Sequence, residues 1–568
     1  MKKVKTCSND KPYITSQLKK LIRIKLNLLK SGKTSEANSL RKHIKKEIRK
    51  SASSYYKCKV QDLFSTKPKQ WYNRIKKICG KTHNNIDFHF QEDPSVTAND
   101  LNRFLSSIVQ NLPPLSFDTP YDLCSLNFPV ISPSDVEAKI KNIKKCSTCP
   151  LDIPIVLIKA FADNLSEPLS LLFNEITSTG KFPNCWKLGF ITPVKKKGNN
   201  QDFNGVRPIT LTPVFSKLYE SFLAEWLKVK VIPNVDQRQF GNLRSTSTTH
   251  YLVHLMDTIC KTLEKPNTWL NVIAVDLQKA FDLINHNILL EKLSNDFQVD
   301  PYLIRIIASF LSNRTQVVKY LNVYSDPLPI YNGVPQGTLL GPILFLTMIN
   351  NLGVYFPDRW KFVDDLTVLE TCSKNSKSNP MYILESISAE ALTDDMKVNP
   401  LKSTVLTINF LKTPPSFSCP IPPEMSVTTM KLLGVTISSD LKWDCHINDI
   451  LKRANAAFSL LKLLKKFKCP KSHCLRIFLS FVRPTLEYAC PVWHPGISIE
   501  LSDRIEAVQK RCLRIIFNEG KVPYISLLRR ANLVTLKERR AKITLRFANN
   551  ALHNPRTTPL FPGQYSPL

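Results

Sequence analysis

Apolar residues recur at two spacings along this chain, and the spacing changes where the chemistry begins. Near the start, Leu18, Leu21, Ile22, Leu26 and Leu29, then Leu40, Ile44 and Ile48, return every three or four residues, as on a helix with one apolar face. Positions 447, 450, 451, 454, 458 and 461 repeat that habit between residues 446 and 467, as do Ile505, Val508, Cys512 and Ile515. The chain from about residue 441 onward is therefore predicted to be helical. The middle reads differently. Residues 272–275 form an apolar, β-favouring run that ends in Asp276 and then turns to a helical pattern through Asp282. Residues 360–363 and 366–368 have strand propensity, and Asp364-Asp365 between them suits a two-residue hairpin turn with both carboxylates at its tip. The apolar run 343–349 predicts a buried helix, and three of the chain's 15 glycines, Gly333, Gly337 and Gly341, fall within nine residues just before it. Proline-rich breaks at 113–120 and 414–423 mark a boundary after the first helices and a loop late in the middle region.

These elements carry candidate chemistry. Adjacent acids on a rigid turn repel unless a cation neutralises them, so Asp364 and Asp365 are costly without Mg2+ and useful with it. Asp276, at a strand end, would complete a three-carboxylate cluster able to hold two Mg2+ about 4 Å apart, the spacing used for in-line phosphoryl displacement. The glycine turn could offer backbone N–H groups and the Gln336 amide to a nucleotide or template base. Each fragment has a plainer reading alone: a solvated turn, an ordinary strand-end acid, a Pro-Gly loop between strand and helix. The run Lys195-Lys196-Lys197 reads as a solvated basic stretch, Phe281 as core, and His446 and His494 as surface or core histidines. Cys146 and Cys149 have redox or zinc spacing without a matching second pair, and Cys469, His473 and Cys474 are too compact for a zinc knuckle; both groups read as structural.

Composition points to the partner. The 568 residues suffice for three or four domains and carry a net charge of +33. Residues 1–80 hold 23 Lys and Arg against 4 Asp and Glu, so over half the excess sits in one seventh of the chain. Patterned helices with that charge suit a nucleic-acid grip, with a membrane-surface helix as the competing reading. Met1-Lys-Lys-Val is followed at once by polar residues and no apolar run approaches 18 residues, so neither a signal peptide nor a membrane span is expected. Fifteen scattered cysteines without a dense framework suit a reducing compartment, and cytoplasm and nucleus are the expected locations. No solenoid repeat is visible.

Taken together, the segments resemble the reverse transcriptases of non-LTR retrotransposons of the jockey-like kind. The family's Asp-Leu-x-Lys-Ala-Phe-Asp appears at 276–282, Gly-Val-Pro-Gln-Gly-x-x-Leu-Gly-Pro at 333–342 and aromatic-x-Asp-Asp at 362–365, in the family's order. Trp186-Lys187, the stretch 193–198 and Arg207-Pro208-Ile209-Thr210 resemble fingers motifs, and Gln239-Phe240-Gly241 with 245–250 resembles the segment before the first catalytic strand. Met396-Lys397-Val398-Asn399-Pro400-x-Lys402 and Leu432-Leu433-Gly434-Val435 resemble the last palm motifs; Arg483-Pro484, Leu486-Glu487-Tyr488 and Val492-Trp493 resemble the thumb.

The resemblance implies an α+β right-hand polymerase: a basic helical nucleic-acid-binding region at 1–110, a helical lead-in at 111–175, fingers and an antiparallel-sheet palm at 176–440, and a helical thumb and C-terminal region at 441–568. It implies RNA-directed DNA synthesis, target-primed, with Asp276, Asp364 and Asp365 as metal ligands and the Leu277 carbonyl completing one shell. Lys195, Lys196 and Arg207 would meet the triphosphate, and Gln336 and Gly337 would line the nucleotide pocket. Phe281 would exclude a 2′-hydroxyl, and Lys402 would protonate pyrophosphate. Two Mg2+ are the implied cofactors, with Mn2+ as substitute. The implied partners are an RNA template, a DNA primer or target site and deoxynucleoside triphosphates, with no membrane and no protein partner specified. The nicking endonuclease that precedes the polymerase in relatives is expected to be missing, and no RNase H region is evident. Val363 stands where many relatives have Ala, the Trp often seen before Met396 is lacking, and the interval from Asp365 to Asn399 is short, so a helix packed on the palm would be altered. The competing expectation is a decayed element copy that binds RNA without polymerising. A template-independent or RNA-copying polymerase is disfavoured by Phe281 together with the Gly-Val-Pro-Gln-Gly run.

Overall fold

The structure is a computed structural model that describes residues 11–78, 93–108, 112–116, 128–144, 149–150, 152–196 and 202–560. Cys146, Lys197 and Gly198 lie outside the described residues. The chain forms two compact units, one of Met1–Asn84 with Lys431–His553 and one of Asn85–Met430 with Asn554–Leu568. These units cut the chain differently from the four segments expected, because the first helices close a core with the last ones and residues 93–108 do not.

The larger unit is α+β. Its central sheet has the order β10 (Ser426–Val427), β9 (Thr404–Ile408), β3 (Thr268–Val275), β8 (Asp365–Ser373) and β7 (Arg359–Phe362). All of its neighbours are antiparallel except β10 with β9. Strand β3 is buried along nearly its whole length, which explains its unbroken apolar reading: the helices Thr248–Leu263 and Pro380–Thr393 both pack on it. Its one polar core residue, Asn271, is fully engaged, donating to Glu370 and Ser378 and accepting from Thr407. The Pro380–Thr393 helix buries Ile383, Leu384, Ile387 and Ala391, so the palm keeps this support without the expected Trp.

A second sheet orders β2 (Val206–Leu211), β1 (Leu188–Lys195), β4 (Arg314–Tyr320) and β5 (Val323–Tyr324), with β6 (Leu328–Ile330) also on β4. The apolar run after the glycines forms the helix Gly341–Met348, buried almost throughout, as its composition predicts. The helical pattern after Asp276 does not become a helix there. Residues 278–283 are turns, Lys279 has φ +44°, and helix begins only at His286, where the Asn285 side chain caps Asn287 and Ile288. Tertiary pairing overrides local periodicity at this point: Gln278 N donates to Lys397 O and Val334 N to Phe281 O.

The other unit is almost wholly helical; a short hairpin, β11 (Thr429–Leu432) with β12 (Val435–Ser438), falls where its second segment begins in the chain. Tyr13 packs edge-on to Phe467, while Tyr56 and Trp71 converge on His473. Phe64 stacks on that imidazole at 3.9 Å and the Tyr56 hydroxyl meets its Nδ1 at 2.6 Å, so His473 is spent inside a core. His446 is likewise buried, between Trp443 and Trp493. The helix Ser16–Lys30 buries Leu18 but leaves Leu26 and Leu29 exposed, so its predicted apolar stripe is only partly covered. Among the described residues, no helix is long and apolar enough to cross a membrane.

Candidate active site

The hairpin between β7 and β8 is one residue out of step with its sequence reading. Phe362 pairs with Asp365, so the turn is Val363-Asp364 and Asp365 is already the first residue of β8. Val363 takes φ +60°, a conformation that costs a β-branched residue energy and needs enforcement from outside the turn. Gln239 supplies it: its Oε1 accepts from Val363 N at 3.1 Å and from Gly241 N at 2.7 Å. A Cβ on Gly241 would stand 2.4 Å from Val363 N, so only glycine allows this approach.

The third acid comes from β3. The antiparallel register pairs Val275 with Leu366, and one further step sets Asp276 beside Asp365. Directly opposed residues on an antiparallel pair bring their Cβ atoms to about 5 Å. The three acids feel one another. The protein packed around Asp365 disfavours its charge, and Asp364 and Asp276 add repulsion, pushing its carboxyl up to about 6. Asp364 is raised as well, by the surrounding protein and by Asp276, against the pull of Arg207 and Lys402. Both side chains still reach solvent, so they are open to a ligand.

Cationic groups surround the acids. Lys402 Nζ lies 3.2 Å from Asp276 Oδ2, carried by a loop on which Asn399 N donates to Asp276 O and Asp276 N donates to Ser403. Leu277 pairs with Val398, yet the flanking bonds use Asp276 O and Gln278 N, leaving the Leu277 carbonyl out of both. Lys196, just past β1, donates to Asn204 O. Partial burial and then Lys402 and Arg207 lower its pKa, while Asp282 and Asp276 oppose the shift. Arg207 and Lys195 occupy adjoining registers of the β1–β2 pair and are exposed. Among the described residues, no three His, Cys, Asp or Glu side chains close into a metal cage in this conformation. The donor set nonetheless fits a divalent cation: three hard carboxylates whose mutual repulsion a cation would relieve.

The nucleotide-side residues are placed by interlocking loops. Thr210 N donates to Gln336 O at 2.7 Å, and Gly337 has φ +119° with space for no Cβ, since one would fall 2.7 Å from Thr210 O. The Gln336 amide is committed to Asp282 Oδ1 at 2.9 Å rather than standing free. Phe281 is half-buried and stacks on Phe345 at 4.3 Å, so the ring is locked against the core, as its plainer reading expects. Asp282 and Gln239 lie within the sequence motifs without a role of their own there; their signal is position, an acid closing the Asp276 turn and an amide just before a glycine. A buried group behind the hairpin has no sequence signal at all: Asp236 accepts from Arg359 Nε and Nη2 at 3.0 and 2.9 Å, and Lys361 Nζ stands 2.9 Å away.

Residues 194–437 match the family model described as reverse transcriptase (RNA-dependent DNA polymerase), a family that uses divalent metals. The chain is 26% identical over 463 residues to the probable RNA-directed DNA polymerase from transposon BS of Drosophila melanogaster, covering 76% of this chain and 50% of that protein. It is 26% identical over 377 residues to the RNA-directed DNA polymerase from mobile element jockey of the same species, covering 63% and 41%. The X-element polymerase matches at 26% over 366 residues, with 61% and 39% covered. The chain thus spans half or less of the length of these relatives. Apo telomerase from Candida tropicalis aligns over 70% of this chain and 73% of its own at 15% identity and a TM-score of 0.35, a likeness too slight to argue from.

Proposed function

We propose that this chain, which carries a reverse transcriptase domain and is a homologue of the jockey, X-element and BS non-LTR retrotransposon polymerases, acts as an RNA-directed DNA polymerase. The observation that carries the reading is the register that brings Asp276 beside Asp365 at the mouth of the Val363-Asp364 turn, with Lys196, Arg207 and Lys402 close enough to shift or feel their charges. Asp276, Asp364, Asp365 and the Leu277 carbonyl would hold two Mg2+, or Mn2+ in their place. Such ions, when bound, activate the attacking 3′-hydroxyl and offset charge on the leaving pyrophosphate.

The chain's own residues do the rest. Lys195, Lys196 and Arg207 neutralise the triphosphate, where charge-assisted hydrogen bonds grow stronger as displacement proceeds. Lys402, whose Nζ stands 3.2 Å from Asp276 Oδ2, would give its proton to the departing pyrophosphate. Gln336, held by Asp282, and Gly337, whose backbone lies against Thr210, form one wall of the pocket. The template would be RNA, the primer DNA at a nicked target, and the substrates deoxynucleoside triphosphates, within cytoplasm and nucleus.

The direct test is extension of a DNA primer on an RNA template by the purified chain with Mg2+ and deoxynucleotides. Extension supports the reading. RNA binding without extension under Mg2+ or Mn2+ replaces it with a decayed copy.

Phe281 gives a sharper test of substrate. Locked on Phe345, its ring cannot swing aside for a 2′-hydroxyl, so Phe281→Ala should raise ribonucleotide incorporation relative to deoxynucleotide by at least about tenfold, a change within reach of pocket reshaping. Single-nucleotide kinetics with both sugars measure it, and unchanged selectivity removes the role.

The basic N-terminal helices are proposed to hold nucleic acid. Their apolar sides close a core with Phe467 and His473, so deleting them would damage the fold, and charge removal is the cleaner probe. Lys42, Lys45, Lys46 and Arg49 are exposed on the helix Thr34–Lys59. Replacing all four by Gln should flatten the log–log salt dependence of RNA binding by roughly 0.7 for each phosphate no longer neutralised. An unaltered slope by fluorescence anisotropy would place the grip elsewhere.

A further inference from the structure

Beyond the three acids, the strained turn that carries Asp364 is held by a segment from the far end of the chain. Residues after His553 return to the sheet-bearing unit. Asn554 Nδ2 donates to Ser245 O at 2.7 Å, and its own carbonyl accepts from Thr557 N and Thr558 N, folding the segment into a compact loop. That loop presents Arg556, whose Nη2 donates to two backbone carbonyls, Asp236 O at 2.6 Å and Gln239 O at 3.3 Å.

Those two residues hold the catalytic hairpin. The Asp236 carboxylate takes both β7 cations, Arg359 and Lys361. Gln239 accepts from Val363 N, and Lys361 N and O bond to Arg238 O and Phe240 N, so segment 238–240 pairs with β7 as an extra partial strand. We infer that Arg556 is a positioning residue: by pinning the carbonyls of Asp236 and Gln239 it fixes the Gln239 amide under Val363 and so sets where Asp364 stands. A guanidinium suits the task, because its Nη2 carries two hydrogens, one for each carbonyl, and the group stays charged when half-buried. The alternative is a C-terminal segment that merely covers apolar surface. Against it, the contacts made by Asn554 and Arg556 are polar and end on backbone carbonyls of the 236–245 segment.

The inference rests on the polymerase reading, and its test keeps the two apart. The purified chain and the variants Arg556→Ala and Arg556→Lys are titrated with Mn2+ by electron paramagnetic resonance, melted, and assayed for primer extension. Losing an outer support of a metal site costs affinity, so Mn2+ binding by Arg556→Ala should weaken by roughly tenfold. The turnover number should fall by about tenfold to a hundredfold, with KM for deoxynucleotide within about twofold of the parent. Arg556→Lys, which keeps the charge but not the shape and reach of the guanidinium, should recover part of both, and it carries the test alone should Arg556→Ala fail to fold. Parent-like Mn2+ affinity in the folded variants overturns the inference, even where the melting temperature drops. A parent protein that binds Mn2+ but extends no primer fails the polymerase reading alone, and the Mn2+ comparison still decides the role of Arg556.

Discussion

Asp364→Asn is expected to reduce primer extension on an RNA template by on the order of a thousandfold or more, because Asp364 would be a ligand of metal ions that supply several kcal/mol of charge stabilisation to the reacting oxygens. The same change should leave the melting temperature equal or slightly higher. Asp364 lies against Asp276 and among protein that disfavours its charge, so the metal-free fold is better off with a neutral amide there. Loss of activity with retained or increased stability separates a catalytic acid from a structural one, and equal extension by Asp364→Asn sinks the assignment. The acids also set a pH dependence. Asp365 is pushed up to about 6, above the ordinary carboxyl value, so in the absence of metal it is protonated below that pH. Metal and protons then compete, and apparent Mn2+ affinity should fall about tenfold per pH unit below about 6. The stability of the metal-free chain runs the other way: a raised carboxyl binds its proton more readily folded than unfolded, so stability is gained as pH falls from above 6 toward about 4. The Asp364 charge is one cause of the raised Asp365 value, so Asp364→Asn should also move this transition to lower pH.

Much of this site is legible in the chain because its parts are local. An apolar run closed by Asp276, a glycine-rich turn before a buried helix, and two strand-like runs around a pair of acids each follow from neighbours in sequence, and the sheet joins them in the expected order. The misreadings arise where distant segments decide. The hairpin turn falls on Val363-Asp364 because Gln239 and Gly241, more than a hundred residues away, grip Val363 N and hold φ at +60°. Strand propensity alone assigns Val363 to the strand, where it would belong without that grip. Residues 278–283 have helical periodicity, but backbone groups on 397 and 334 take their hydrogen bonds first. The compact unit of the first and last helices has the same kind of origin: Tyr13 and Tyr56 tie the first helices to Phe467 and His473, contacts with no sequence signature. Lys361 is the clearest case. Nothing in its sequence neighbours signals its place: it is almost wholly buried, its ammonium held by Asp236 and the carbonyls of Ile349 and Asn350.

That buried lysine makes Asp236 the position where the largest loss of stability is expected. Arg359 and Lys361 both end on its carboxylate, and the three side chains are 13% exposed or less. Removing one partner of a buried ion group leaves the others uncompensated, so Asp236→Ala should lower unfolding free energy at pH 7 by about 3 to 5 kcal/mol. The loss should depend on pH in a definite direction. Burial already depresses Lys361 to about 8 against the pull of Asp236, below the value near 10.4 for a free lysine. A lysine with a lowered folded pKa binds its proton better unfolded, so its burial penalty is complete below the folded pKa and is relieved as pH rises through the window up to about 10.4. Without Asp236 the folded pKa falls further, the relief begins at lower pH, and the variant should regain part of its deficit by pH 9. Urea unfolding followed by tryptophan fluorescence at pH 7 and 9 measures both effects, with Trp360 buried on the strand concerned. Asp236→Ala/Lys361→Met should be less damaging than the sum of its single changes, since the second removes the stranded charge. A loss under about 1 kcal/mol at pH 7 with no pH dependence would mean that the charges behind β7 are solvated or otherwise paired. The hairpin would then owe its place to backbone pairing alone, and the route from Asp236 to the Val363-Asp364 turn would run only through Gln239.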